Sequence, residues 1–204
     1  MPTFLHVGCG HKRKQNTVAG FNNADWQEIR LDIDSSMRPD IVGSILDMAD
    51  VASASVDAVY SSHNIEHVYP HEVPLALSEF FRVLKPAGFL LLTCPDLQSI
   101  AKLIADDKLT EAAYNSPAGP ISPIDMVYGH RPQLAAGNFY MAHKCGFTLK
   151  VLMATLNAAR FASVAGKRRE AEFFDLWVVA SKTELGEEKI RKLAADFFPT
   201  RSVG

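Results

Sequence analysis

The chain has 204 residues, of which 48% are hydrophobic and 22% charged, with a formal net charge of -2. That length supports one domain with a substantial core and leaves little room for a second, and the composition excludes a disordered chain. The near-neutral charge gives no electrostatic ground for expecting DNA or another bulk polyanion. Apolar runs rich in β-branched or aromatic residues at 3–8, 28–33, 40–43, 56–60 and 88–94 predict strands. Turn signals or helical stretches separate them, the pattern of a parallel α/β sheet. Between the last two runs, Val73, Leu77, Phe80, Phe81 and Leu84 recur at helical spacing over 71–84, and Lys85-Pro86-Ala87-Gly88 stops the helix. Residues 97–109 predict another amphipathic helix.

From Tyr114 to Gly146 the texture changes, because Pro117, Gly119, Pro120, Pro123, Gly129, Pro132 and Gly137 break any long element. A loop of this length inside a domain is more often a lid or binding loop than filler, so a lid-like insertion is expected at about 114–146. Beyond it the sequence predicts a helix at 147–159, a strand near 161–165 and a strong strand from Phe173 to Ala180. The last two are close enough for an antiparallel hairpin. A peripheral helix is expected at 184–197, with Leu185, Ile190, Leu193 and Phe197 inward.

Three scattered cysteines, Cys9, Cys94 and Cys145, offer neither a disulfide framework nor a paired zinc spacing, and they suit a reducing compartment. The apolar stretch around Leu90 to Leu92 is far shorter than the ~20 residues of a membrane span. A soluble cytoplasmic protein with no membrane partner is the expectation.

The first strand ends in Gly8-Cys9-Gly10, and Asp32 closes the second. Glycines let backbone N–H groups approach a ligand, and an acid at the next strand tip accepts from ribose hydroxyls, so the pair suits a nucleoside. A dinucleotide fingerprint needs a third glycine opening a helix. Arg13 stands there instead, which counts against a nicotinamide oxidoreductase.

Four segments, FLHVGCG (4–10), RLDID (30–34), SVDAVYSSHNIEHV (55–68) and FFRVLKPAGFLLLTCPD (80–96), resemble in order and spacing the class I S-adenosylmethionine-dependent methyltransferases. Within them the chain is similar to the small bacterial type 11 branch, which carries SHVLEH and RVLKPGG at the corresponding places. A looser likeness continues through GNFYMAHKCGF (137–147). The resemblance implies one Rossmann-like domain with a seven-stranded sheet in the order 3-2-1-4-5-7-6, strand 7 antiparallel and helices on both faces. It also implies S-adenosylmethionine as cofactor and S-adenosylhomocysteine as product.

On the same footing, Val7, Gly8, Cys9 and Gly10 would approach the methionine part, and Asp32 with Ile33 the ribose. Asp34 would be a solvated loop acid. The family commonly places an acid near the end of strand 3 for the adenine amino group. Ser44 stands there, leaving Asp47 or main-chain groups near Leu46 and Met48. Ser62 and His63 would line the cofactor pocket.

His63, Glu66 and His67 also spell the H-x-x-E-H of one metallopeptidase class. The segment directly follows a strand, in the methyltransferase position, so no metal is expected. Glu66 and His67 either face the methyl acceptor or brace the next helix. His143, on the breaker-rich segment, is the other candidate base. Tyr128, His130, Arg131 and Tyr140 are candidates for acceptor contact. The reaction expected is methyl transfer to a small or sugar-like acceptor, with a cofactor-binding regulator without turnover as the alternative.

Overall fold

The computed structural model describes residues 1–169 and 173–199. Its centre is a seven-stranded sheet entered by β1 (Thr3–Val7), β2 (Gln27–Asp32), β3 (Ile41–Val42) and β4 (Val56–Ser62). These four are parallel neighbours in the order β3-β2-β1-β4. The next helix, α1 (Val73–Val83), has a proline in its first turn and buries Val73, Ala76, Leu77, Phe80 and Val83 on one stripe. It runs straight into β5 (Leu84–Pro95), parallel to β4.

The expected helix stop at 85–88 is therefore extended. Val56 pairs with Leu84, Ala58 pairs with Phe89, and the register slips between them. Pro86 is accommodated in this irregularity, which is where a strand tolerates a residue without an N–H.

After α2 (Leu97–Ala105), the 114–146 region carries structure of its own. It forms a hairpin of β6 (Tyr114–Ser116) and β7 (Gly119–Ile121), then α3 (Pro123–Tyr128), α4 (Arg131–Ala135) and a 3-10 turn at Phe139–Met141. Ile100, Met126 and Phe174 form a small separate core that holds this region against α2. Then α5 (Leu149–Ala158) leads to β8 (Ser163–Arg169) and β9 (Asp175–Ser181), and α6 (Glu187–Phe197) follows. β9 lies between β5 and β8 and is antiparallel to both, so the full order is β3-β2-β1-β4-β5-β9-β8.

Alternation along the strands divides the core. In β5, Leu90, Leu92 and Cys94 join the aliphatic core with Leu77 of α1 and Leu152 of α5, whereas Phe89 and Leu91 join the opposite, aromatic one. There Phe4, Phe21, Tyr60, Phe89 and Phe197 pack ring to ring, with Trp26 half-buried at the margin. His6 is buried on this side, with Nδ1 2.8 Å from Glu28. Trp177 and Ile190 are core residues as well. No helix among the described residues is long and apolar enough to cross a membrane. With all parallel strands pointing one way, their carboxyl ends and following loops form one edge, where open α/β sheets place ligands.

Candidate functional site

At that edge β1 turns sharply through Gly8 (φ +60) and Gly10 (φ +52), conformations that favour glycine. The two glycines face different things. A Cβ on Gly8 would lie 2.5 Å from Asn64 Cγ, whereas one on Gly10 would meet nothing within 4 Å. Asp32, only 8% exposed at the end of β2, accepts from the Gly10 N–H at 2.7 Å through Oδ2 and from the Asp34 N–H at 2.9 Å through Oδ1. The acid thereby holds the glycine loop against β2. Asp34 caps the following turn, accepting from Ser36 N–H; these hydrogen bonds hold its carboxyl below the usual range.

Two residues earlier, on the same side of β2, the buried Arg30 donates to the carbonyls of Lys12, Met37, Arg38 and Gly10. One guanidinium thus clamps the β1–β2 and β2–β3 loops together. Its signal in the sequence is an arginine inside an apolar run, on the face that also carries Asp32.

These loops enclose a cavity of about 350 Å3, the size of a small-molecule site. Gly8, Gly10, Asp32, Ile33, Leu46 and His63 line it, joined by His67 and by Tyr140. Val7 and Cys9 are instead buried in the interior, because alternate side chains of a strand end point away from the crevice, and Met48 is buried in the aliphatic core. Burial pushes the Cys9 thiol up to about 11 despite the nearby Arg30. Asp47 is exposed and accepts from Ala49 N–H, while Ser44 lines the cavity and its hydroxyl accepts from Leu46 N–H. Ser62 accepts from the Thr93 hydroxyl at 3.1 Å, outside the cavity lining.

Asn64 was not singled out by the sequence reading. It lines the cavity against Gly8, and its Nδ2 is buried with no hydrogen-bond partner. A legible signal existed: Asn64 occupies the position of Val in the branch pattern SHVLEH.

Beyond β4 the chain takes a left-handed step at His63 (φ +50) into a 3-10 turn, Ile65–His67. Ile65 anchors the turn in the core and Glu66 is 1% exposed. The Glu66 carbonyl accepts from Lys144 N–H at 2.7 Å and Cys145 N–H at 3.2 Å, joining this turn to the segment that carries His143. His67 Nδ1 donates to the Ala142 carbonyl at 3.1 Å and His143 Nδ1 to the Met126 carbonyl at 2.8 Å. A carbonyl can only accept, so each Nδ1 carries the proton and each neutral ring leaves a lone pair on Nε2. The two rings are 4.9 Å apart, edge to face.

His63 Nδ1 is 3.3 Å from Glu66 Oε1 and its Nε2 is 3.9 Å from Asp175 Oδ2, although 46% of the side chain remains exposed. Burial opposes its charge, but hydrogen bonding to Asp175 and Glu66 outweighs this and raises its pKa to about 9. Burial likewise works against Glu66 ionisation, yet His63 and the neighbouring imidazoles hold that pKa below its ordinary value. Burial lowers the pKa of His143.

A second cavity, about 160 Å3, lies on the other side of this cluster; His63, Glu66, His67 and His143 line it together with Tyr114 and Phe174. The candidate acceptor contacts are scattered: Tyr140 lines the first cavity, His130 the second, and Tyr128 a third near α2. Arg131 is committed to the buried Asp125, with Nε 2.7 Å from Oδ1, and also donates to Ser122.

The methyltransferase domain family model matches residues 5–92. The fold is that of a Burkholderia thailandensis 1,6-didemethyltoxoflavin-N1-methyltransferase, solved with 1,6-didemethyltoxoflavin and S-adenosylhomocysteine. That likeness has 16% identity and a TM-score of 0.58, over 90% of this chain and 72% of the other. A SAM-dependent methyltransferase from Methanosarcina mazei gives 17% identity and a TM-score of 0.59, with 90% and 93% covered. One from Archaeoglobus fulgidus gives 16% and 0.56, with 89% and 86% covered. Residues 5–92 are thus similar to a methyltransferase domain, and the whole chain shares the fold of SAM-dependent methyltransferases. No curated protein matches it in sequence. The matched part of the methyltransferase domain takes in the glycine turn, Asp32 and the 63–67 turn and ends within β5, leaving His143 and its segment outside.

Proposed function

We propose that this single methyltransferase domain acts in the cytoplasm, transferring a methyl group from S-adenosylmethionine to a small-molecule or sugar-like acceptor. The carrying observation is the Asp32 carboxylate, held beside the open face of Gly10 at the rim of a cavity of nucleoside size. The residues present fit that cofactor. Asp32 accepts from the ribose hydroxyls, the Gly8–Gly10 backbone admits the methionine part, and the unpartnered Asn64 Nδ2 supplies a donor. Ile33, 49% exposed, and Leu46 offer apolar contact to the base.

When bound, S-adenosylmethionine supplies a methyl group on a sulfonium that any well-placed nucleophile can displace. The protein's part is to position the acceptor, exclude water and take a proton from a hydroxyl acceptor. His143 and His67 suit the last task, since their Nδ1 atoms are engaged by backbone carbonyls and their Nε2 atoms are left to meet an acceptor, and burial favours the neutral form of His143. Tyr140, His130 and Tyr128, each lining a different one of the three cavities, are the acceptor contacts proposed.

A screen of candidate acceptors with methyl-labelled cofactor tests this reading. With an acceptor in hand, His143→Ala should leave cofactor affinity nearly intact and lower kcat by about 10²- to 10⁴-fold, the usual range for a lost general base. Loss of cofactor affinity with kcat unchanged would make His143 a cofactor-pocket residue instead. Cofactor binding without transfer to any acceptor would favour a regulator.

A further inference from the structure

We propose that Glu66, His67 and His143 form a binding site for a divalent transition-metal ion of the zinc class, at the cavity of about 160 Å3 that all three line. Among the described residues this is the group of three whose candidate ligand atoms come together, all within 4.8 Å of one another. Two nitrogens and one carboxylate oxygen are the donor set of His2Glu zinc sites, and the ions that suit imidazole are zinc, copper, iron and nickel. Ligands about 2.0–2.1 Å from a tetrahedral ion are about 3.3 Å apart, so the side chains close by up to about 1.5 Å on binding.

Three independent features prepare these side chains for an ion. Both histidines donate Nδ1–H to backbone carbonyls, of Ala142 and Met126, the outer hydrogen bond that fixes the tautomer of metal-binding histidines. The Glu66 carboxylate is 1% exposed, and the histidine beside it, His63, faces Oε1 alone, so that Oε2 has no hydrogen-bond donor. A buried carboxylate oxygen left without a donor, as Oε2 is, suits a cation. His63, 3.3 Å from Oε1, orients one edge of the carboxylate and leaves Oε2 for an ion.

The expectation of no metal rested on the H-x-x-E-H segment directly following a strand, in the methyltransferase position; in the structure the segment forms a 3-10 turn and no α-helix. The site takes only the last two residues of that pattern. Its first histidine turns towards Asp175, and the third ligand arrives from residue 143.

Ion binding stands apart from the methyl-transfer reading, but its catalytic use rests on that reading. An acceptor hydroxyl in an open position of the ion becomes more acidic and loses its proton to water. Its oxygen then bonds the methyl carbon as the carbon–sulfur bond breaks, leaving the thioether product. With the ion bound, His67 and His143 act as its ligands; their role as bases belongs to the ion-free protein.

The test uses the full chain stripped with chelator and titrated with cobalt(II), then with zinc as competitor. The expected result is one ion per chain, displaced by zinc. Two exchangeable, strongly shifted Nδ1–H proton signals should mark the two histidines. His67→Ala and His143→Ala, each checked for fold by near-ultraviolet circular dichroism, should each weaken cobalt binding by at least about a hundredfold, beyond a typical outer-partner loss. No bound cobalt or zinc at tenfold excess, wild-type spectra without those two signals, or unchanged binding in both folded variants would overturn the site. Calorimetry of S-adenosylhomocysteine on the stripped protein runs alongside. Failure there counts against the cofactor reading alone, and failure of the cobalt titration against the metal site alone.

Discussion

Replacing Asp32 by Ala strikes the one side chain on which the glycine turn and the proposed ribose contact both depend. The carboxylate already accepts from the N–H groups of Gly10 and Asp34. Bound cofactor adds two ribose hydroxyls, and a hydrogen bond to a charged group contributes about 1.5–3 kcal/mol. Water entering the vacated space recovers part of the loss for a rim residue, so the lower end of the sum applies, about 3 kcal/mol and roughly a hundredfold in Kd. Asp32→Asn keeps the shape without the charge and should cost about tenfold. Asp34→Ala is the comparison: its oxygen is spent on Ser36 N–H, so affinity should change by less than about threefold. Calorimetry with S-adenosylhomocysteine measures all three, alongside thermal unfolding to establish that each variant is folded. A folded Asp32→Ala protein with wild-type affinity, or a larger loss in Asp34→Ala, would refute the assignment.

The glycines should separate in the same assays. Gly10→Ala incurs the left-handed penalty of about 1–2 kcal/mol but meets no atom, so it should fold and bind the cofactor more weakly. Gly8→Ala adds a Cβ 2.5 Å from Asn64 and should lower Tm further; equal Tm values would contradict the packing. The third expectation concerns acid. Burial opposes ionisation of Asp125, but the Arg131 guanidinium and Ser122 outweigh it and hold its carboxyl well below the usual 3.8. A depressed carboxylate contributes stability that is present above its unfolded pKa and lost as pH falls through the folded one. Urea unfolding should therefore find Asp125→Asn less stable than wild type at pH 7, with the gap closing below about pH 4. A gap independent of pH would mean that the pair contributes through packing.

The strands were legible because their apolar content is dictated by burial on both faces, as in β1 and β5, where every residue from Phe89 to Cys94 is buried. Periodicity also identified α1: of the residues it picks out, Val73, Leu77 and Phe80 lie on the inward stripe, completed by Ala76 and Val83. It misjudged the start of β5, because Lys85-Pro86-Ala87-Gly88 looks like a turn and only pairing of Leu84 with Val56 makes it strand. The 114–146 region read as a loop for a related reason. Its hairpin strands have three residues each and its helices five or six, lengths at which local propensity carries little weight beside packing on Ile100 and Phe174.

The same difference in range explains what could be read of the site. Gly8, Gly10 and Asp32 are local consequences of strand ends, and parallel neighbours β1 and β2 bring them together in any sheet of this order. The Glu66–His67–His143 cluster has no local spacing to betray it. On an α-helix, H-x-x-E-H would put His63 and His67 on one face, because residues four apart lie one above the other. Here the left-handed backbone of His63 and the 3-10 turn after it send the two rings to opposite sides of Glu66, one towards Asp175 and one towards His143. What recruits His143 is backbone bonding, with Lys144 and Cys145 N–H groups on the Glu66 carbonyl and the His143 N–H on the Tyr128 carbonyl. Hydrogen bonds between main chains leave no mark on residue type, so the H-x-x-E-H spelling holds Glu66 and His67 but gives no sign that His143 lies beside them.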